Sequence, residues 1–267
     1  MKQTSSVKID QLRINIPYGH IAKFKRQKSD LPKQVLVIDQ LFHLTELFHE
    51  NSEGYGHNGY TTSYNFGSGT EGGSISVMWN ESREDMGILV DFTATGKSLY
   101  EDLARIHGLK VNWREIIYTL HRIYQGHLSR IDVAVDLINY GFSVNEIYQR
   151  LKNEKSFFLN SLGNKISSER FKIVGSTIDV QTLYVGSRKS DGFLRIYNKK
   201  LEQTRPNGIY RNIAYKCNDW IRIEAEFKHR ASKELGNAIT KLNDEELYPY
   251  LVAYLMDRWS LVDVKES

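Results

Sequence analysis

The 267-residue chain is 40% hydrophobic and 12% aromatic, enough apolar material for one large domain or two small ones with real cores. One cysteine and no apolar run of 18 residues argue against a disulfide framework and a membrane span, and MKQTSSVKIDQLRINIP, with no apolar h-region, argues against secretion. A reducing cytoplasm fits, and although the net charge is only +4, Tyr184 to Arg230 holds 11 Lys and Arg against 5 Asp and Glu, a basic stretch without a basic amphipathic helix that favours nucleic acid over a membrane surface.

In chain order, Val7 to Ile16 alternates as a strand, and Lys33 to Glu50 carries Val35, Ile38, Leu41, Phe42 and Leu44 at helical spacing. His43 and His49, six residues apart, do not share a helix face and read as structural or solvated rather than as ligands. Asn51 to Gly73 is rich in Gly, Tyr and Ser; it predicts a strand at Tyr60 to Phe66 and a flexible loop, since no lysine follows in the phosphate-loop pattern. Ser74 to Trp79 and Gly87 to Thr95 predict a hairpin. The following Thr95-Gly96-Lys97-Ser98 imitates a nucleotide-binding loop, but Asp91 stands where that loop needs its first glycine. Ser98 with Glu101 instead predicts a capping box opening a helix through His107, and Asn112 with Glu115 another through Tyr124.

His127 to Ile138, HLSRIDVAVDLI, separates cleanly into Arg130, Asp132, Ala134 and Asp136 on one face and Ile131, Val133, Val135 and Leu137 on the other. Two carboxylates four residues apart on a strand are ~13 Å apart, so at most one is expected as a direct ligand of any single ion. Ser143 with Glu146 predicts a helix to about Asn153, then a loop to Lys165 and a strand at Phe171 to Val174. Thr182 to Ser187 and Phe193 to Lys199 read as a hairpin around Arg188-Lys189-Ser190-Asp191-Gly192. Its second strand puts Phe193, Arg195, Tyr197 and Lys199 on one face, with Tyr197 between two cations whose charge favours phenolate attack on a phosphodiester. An ordinary half-exposed strand tyrosine is the alternative. Trp220 to Arg230 alternates Arg222, Glu224, Glu226 and Lys228 with Ile221, Ile223, Ala225 and Phe227, and the chain from Ala231 is helical. Matched arginines, acids and a tyrosine on three strands predict one charged cleft whose oxygen donors suit Mg²⁺ or Mn²⁺ rather than zinc. The fold expected is α+β: antiparallel sheets with helices on the outer faces and the catalytic cleft on the charged face. One domain is expected over residues 1–267, with internal halves at about 1–126 and 127–267.

The strand SRIDVAVDL, the hairpin YVGSRKSDGFLRIYNKKLEQ and the strand WIRIEAEFKHRAS resemble the three signature segments of the Rep_trans family, over about residues 7 to 260. The resemblance implies a rolling-circle plasmid replication initiator or a conjugative-element relaxase. Such a protein nicks one strand at a replication or transfer origin, leaving a 5′-phosphotyrosine and a free 3′-OH. It places the nucleophile at Tyr197, with Tyr184 as the competing candidate, and the chemistry of such an attack makes Arg195 and Lys199 the cations expected to offset charge on the phosphorane. It places the metal-binding acids at Asp132, Asp136, Glu224 and, in a less similar strand, Asp91. Arg188, Lys189, Lys200, Arg222, Lys228 and Arg230 are the expected DNA-binding cations. The expected partners are single-stranded or cruciform origin DNA, a helicase or coupling ATPase, and a second copy in a homodimer, with no membrane. The origin-recognition segments that follow the catalytic part in plasmid initiators are expected to be absent. Two alternatives carry different products: an inactive DNA-binding protein on this scaffold, and a metal-dependent nuclease using water.

Overall fold

Period-two patterns become strands and capped amphipathic runs become helices in the computed structural model, which describes residues 2–19, 30–67 and 73–264. Residues 68–72 of the glycine-rich segment and the end of the polar tail lie outside the described residues. The strands are β1 (Thr4–Ile16), β2 (Asn51–Tyr55), β3 (Thr62–Phe66), β4 (Ile75–Trp79), β5 (Ile88–Phe92) and β6 (His127–Ile138). They continue with β7 (Ser156–Leu159), β8 (Phe171–Ser176), β9 (Asp179–Val185), β10 (Gly192–Asn198), β11 (Trp220–Lys228) and β12 (Ser260–Asp263). The helices are α1 (Lys33–Phe42), α2 (Leu44–Leu47), α3 (Ala94–Ile106), α4 (Trp113–Arg122) and α5 (Val144–Lys152). After them come α6 (Lys199–Thr204), α7 (Arg211–Lys216), α8 (His229–Ile239) and α9 (Leu247–Arg258). The fold is α+β, with antiparallel ladders.

Two compact units share the chain, one made of Asp10–Ile131 and Lys228–Leu247, the other of Met1–Ile9, Asp132–Phe227 and Tyr248–Ser267. Where the sequence suggested halves meeting near residue 126, the chain passes between units within β1, within β6 and at either end of Lys228–Leu247. In the first unit the strand order is β2-β3-β4-β5-β1. Phe42 and Phe92 pack at 4.9 Å between ring centroids, and Phe92 meets Trp113 edge-on at 5.8 Å. In the second unit the order is β6-β11-β10-β9-β8, with β7 and β12 as a separate pair. Phe227 on β11 packs edge-on against Tyr254 of α9 at 5.0 Å.

Several local expectations are corrected. The helix expected over Lys33 to Glu50 breaks at His43, whose φ of 53° is left-handed, and the Asp39 carboxylate then accepts from the amide and hydroxyl of Thr45 to restart it. Ser98 opens no helix: Thr93 is the N-cap of α3, its hydroxyl accepting from Gly96 N. The loop expected over 153–165 contains β7, which pairs with β12 in the expected helical tail. Asp263 ties that pair down by accepting from Ser156 Oγ at 2.6 Å and from Arg150 at 2.9 Å.

Candidate active site

The strand order β6-β11-β10 sets Asp132 and Asp136, then Glu224, then Tyr197 on adjacent strands of one unit. Register chooses their partners. Arg195 stands opposite Glu224, Tyr197 opposite Arg222, and across the other edge of β10 Arg195 stands opposite Tyr184. Arg195 Nη2 donates to Glu224 Oε1 at 2.6 Å. The Arg222 guanidinium grips Asp136 with both prongs, Nε to Oδ1 at 2.8 Å and Nη2 to Oδ2 at 2.7 Å, and Trp220 Nε1 gives Oδ1 a further bond at 2.8 Å. Arg222 is only 3% exposed, so this charge is tolerable in the interior because it is matched in a fork-on-carboxylate geometry.

Tyr197 is 7% exposed, not half-exposed. Its ring lies 4.6 Å from the Arg195 guanidinium and 5.5 Å from the Lys199 ammonium. Its hydroxyl donates to Glu224 Oε2 and accepts from Lys199 Nζ, each at 3.4 Å. The two cations were expected to ease its ionisation, and the balance runs the other way. Burial pushes the phenol above its ordinary value and Glu224 adds to this; Arg222 pulls back, Glu202 raises it again and Arg195 lowers it. Desolvation wins because the cations are already matched to carboxylates. Burial works against the Arg195 charge, but Glu224, joined by Tyr197 and Tyr184, offsets it and holds that guanidinium above its ordinary value.

Lys199 is not the last residue of the strand but the first of α6, which Asn198 caps by accepting from Leu201 N at 2.9 Å. From there it reaches the Tyr197 hydroxyl and pairs with Glu202 one turn on. A hollow of about 150 Å³ is lined by Tyr197, Arg195, Tyr184, Asn198, Glu202 and Arg205. At about 30 Å³ per liquid water, it has room for a polar group several waters in size.

An Mg²⁺ or Mn²⁺ ion held jointly by Asp132, Asp136 and Glu224 does not fit these side chains. Both Asp136 oxygens are occupied by Arg222 and Trp220, and Glu224 by Arg195 and Tyr197. Among the described residues no group of three or more His, Cys, Asp and Glu is gathered closely enough to hold a metal ion. Asp132 is buried on β6. Asp91 lies on β5 in the other unit, where Arg13 Nη2 donates to it at 2.7 Å.

Of the expected DNA-binding cations, Arg188 and Lys189 are exposed in the β9–β10 loop, while Arg222 is internal. Lys200 donates to Asn218 O at 3.0 Å, and exposed Arg230 pairs with Glu234 at 2.6 Å. Lys228 ends β11. Sequence reasoning passed over Trp220, Asn198 and Glu202. Trp220 was detectable two residues before Arg222 on its strand face, whereas Glu202 faces Lys199 only once the strand is known to stop at Asn198.

A family model described as replication initiation factor matches residues 126–267. A Bacillus subtilis (strain 168) protein carrying the name DNA relaxase NicK is 23% identical over 208 residues, 78% of this chain. The chain spans about half the length of that curated relative, 55% of it. The solved structure of a rolling circle replication initiator protein from Geobacillus stearothermophilus superposes with a TM-score of 0.67 at 20% identity, covering 99% of this chain and 88% of that one. At such identity the likeness is one of fold.

Proposed function

Because the chain belongs to the replication initiation factor family, we propose that it nicks one DNA strand at a replication or transfer origin by transesterification through Tyr197. The observation that carries this reading is the buried Tyr197 hydroxyl suspended between Glu224 and Lys199 inside the family-matched region. A phenol whose ionisation is held above its ordinary range needs a base at the moment of attack, and Glu224 Oε2 is the acceptor in reach. The Tyr197 oxygen bonds to phosphorus as its proton passes to Glu224. The phosphorus–O3′ bond breaks, the 3′ oxygen leaves and takes a proton from water to become a hydroxyl, and Glu224 returns the proton it accepted to solvent, so the protons balance. Lys199 and Arg195 offset charge on the phosphoryl oxygens in this water-poor setting. Asp136 acts at one remove by fixing Arg222, the cross-strand neighbour of Tyr197. The product is a 5′-phosphotyrosine, which keeps the phosphodiester's reactivity for a later joining step.

Single-stranded or cruciform origin DNA is the substrate this chemistry favours, since attack needs access to the phosphate from the side opposite the leaving oxygen. A helicase or coupling ATPase is the class of partner that would unwind or transport the nicked strand. The test is a labelled single-stranded origin oligonucleotide incubated with wild type and Tyr197→Phe. Wild type should give a denaturant-resistant adduct mapping to Tyr197 and a free 3′-OH, and Tyr197→Phe should bind DNA and do neither. An adduct mapping to Tyr184 would move the nucleophile, and a free 5′ phosphate without adduct would indicate hydrolysis by water.

A further inference from the structure

A cleft of about 1120 Å³ lies in the unit that carries Tyr197 and shares Tyr184 with the hollow beside that residue. Six cations line it, Lys165, Arg170, Lys172, Arg188, Lys189 and Arg258, against two carboxylates, Glu169 and Asp191. The Tyr184 and Phe193 rings are stacked in it, 5.5 Å between centroids and 18° from parallel. The Arg188 guanidinium sits 5.4 Å from Phe193 and 5.9 Å from Tyr184. Trp259 closes another wall and comes near because residue 192 is glycine: a Cβ there would stand 3.1 Å from the indole. The loop bearing Arg188 and Lys189 is braced from within. Ser190 Oγ lies 2.6 Å from the carbonyls of both Ser187 and Gly192, and Lys189 N donates to Ser187 Oγ at 3.2 Å.

Flat π-faces under a rim of cations suit a ligand with planar bases and repeated anions. The volume exceeds what one small molecule fills, so it suits a short run of nucleotides. Paired bases present no open faces to a side-chain ring, so the strand must be single. We propose that this cleft is a subsite for the single-stranded nucleotides adjoining the scissile phosphate. One base stacks on Tyr184, the half-buried member of the Tyr184–Phe193 pair, and backbone phosphates lie against Lys165, Lys172, Arg188 and Lys189. The proposal rests on the reading of Tyr197 as the nicking residue, and it makes Tyr184 a binding ring rather than a nucleophile.

The test uses full-length protein carrying Tyr197→Phe, so that DNA is held but not cut, and short single strands with 2-aminopurine at successive positions. Quenching at one position near the nick site is expected. Adding Tyr184→Ala should abolish that quenching and weaken binding about 5- to 150-fold, the range for losing one stacked base. Tyr184→Phe, which keeps the ring, should rescue both. If Tyr184→Ala compromises folding, as judged by its melt, Lys189→Ala at the exposed loop tip replaces it and should flatten the salt dependence of binding by about 1 unit of slope. Unchanged binding and quenching in Tyr184→Ala, or equal affinity for blunt duplex, would overturn the subsite. Because these readouts need no cleavage, a failure of Tyr197 to form an adduct would defeat the nicking reading while leaving the binding result standing.

Discussion

Tyr197 and Asp136 show what alternation along a strand conveys and what it hides. Period two placed Tyr197 beside Arg195, as found, but a buried strand has no solvent face to announce itself, and Phe193, Tyr197 and Lys199 are all internal. The acids were legible as charges but not as partners, because a carboxylate that meets an arginine across a ladder looks in sequence like one that meets an ion. Glu224→Gln keeps the shape and removes the base, so nicking should slow by about 10²- to 10⁴-fold with single-strand affinity retained. Single-turnover cleavage beside a binding titration checks this, and equal losses in both would make Glu224 a structural residue. Asp136→Asn should leave buried Arg222 short of its counter-charge and lower stability by roughly 3 kcal/mol in denaturant unfolding. Measured across a series of Mg²⁺ concentrations, the ratio of the variant's nicking rate to that of wild type should stay constant. A deficit that high Mg²⁺ repairs would restore Asp136 as a ligand.

Among the elements, the long strands and the helices begun by Asn112 and Ser143 were readable because each carries its own signal, a cap or a clean period. The pair β7 and β12 was not, since four-residue strands about a hundred positions apart gain their identity only from each other. The β9–β10 loop makes a prediction of its own. Replacing Arg188 and Lys189 together by alanine should weaken binding alike for all single-stranded sequences and reduce the salt slope by about 1 to 2 units, read by anisotropy at several salt concentrations. Loss confined to one sequence would indicate base readout by the loop. A second prediction concerns α4 and α8, where Gly236 leaves room for the His121 ring: a Cβ there would lie 2.4 Å from Nε2. Burial, then Lys233 and His121, lower the pKa of His127 from 6.5 to about 4, and burial also lowers that of His121, with Asn237 opposing and Arg122 assisting. Between those values the unfolded chain binds more protons than the folded one, so this contribution to stability is intact above pH 6.5 and lost as pH falls toward 4. The melting temperature should drop between pH 7.5 and 5, and His127→Gln should blunt the drop.

For the molecule as a whole, the fold class was legible and the return of the chain through Lys228–Leu247 was not, because it leaves no linker or shift in composition to mark the crossing. The contacts proposed for the basic surfaces are to phosphates, which carry no sequence information. A duplex bearing the origin should therefore compete with a scrambled duplex by less than about 10³-fold at near-physiological salt, with single-strand nicking as the activity control. A larger ratio would mean that these residues read the origin themselves. Gly192 has a consequence for descent. Its missing Cβ sets the clearance between the start of β10 and Trp259 and Arg258 at the end of α9, with 3.1 Å to the indole and 3.3 Å to the guanidinium. Alanine would ask the indole to retreat a few tenths of an ångström, and anything bulkier would ask it to leave. Positions 192 and 259 should therefore change together in related chains, a larger residue at one accompanying a smaller ring at the other, so that two residues 67 places apart are inherited as a single fitted joint.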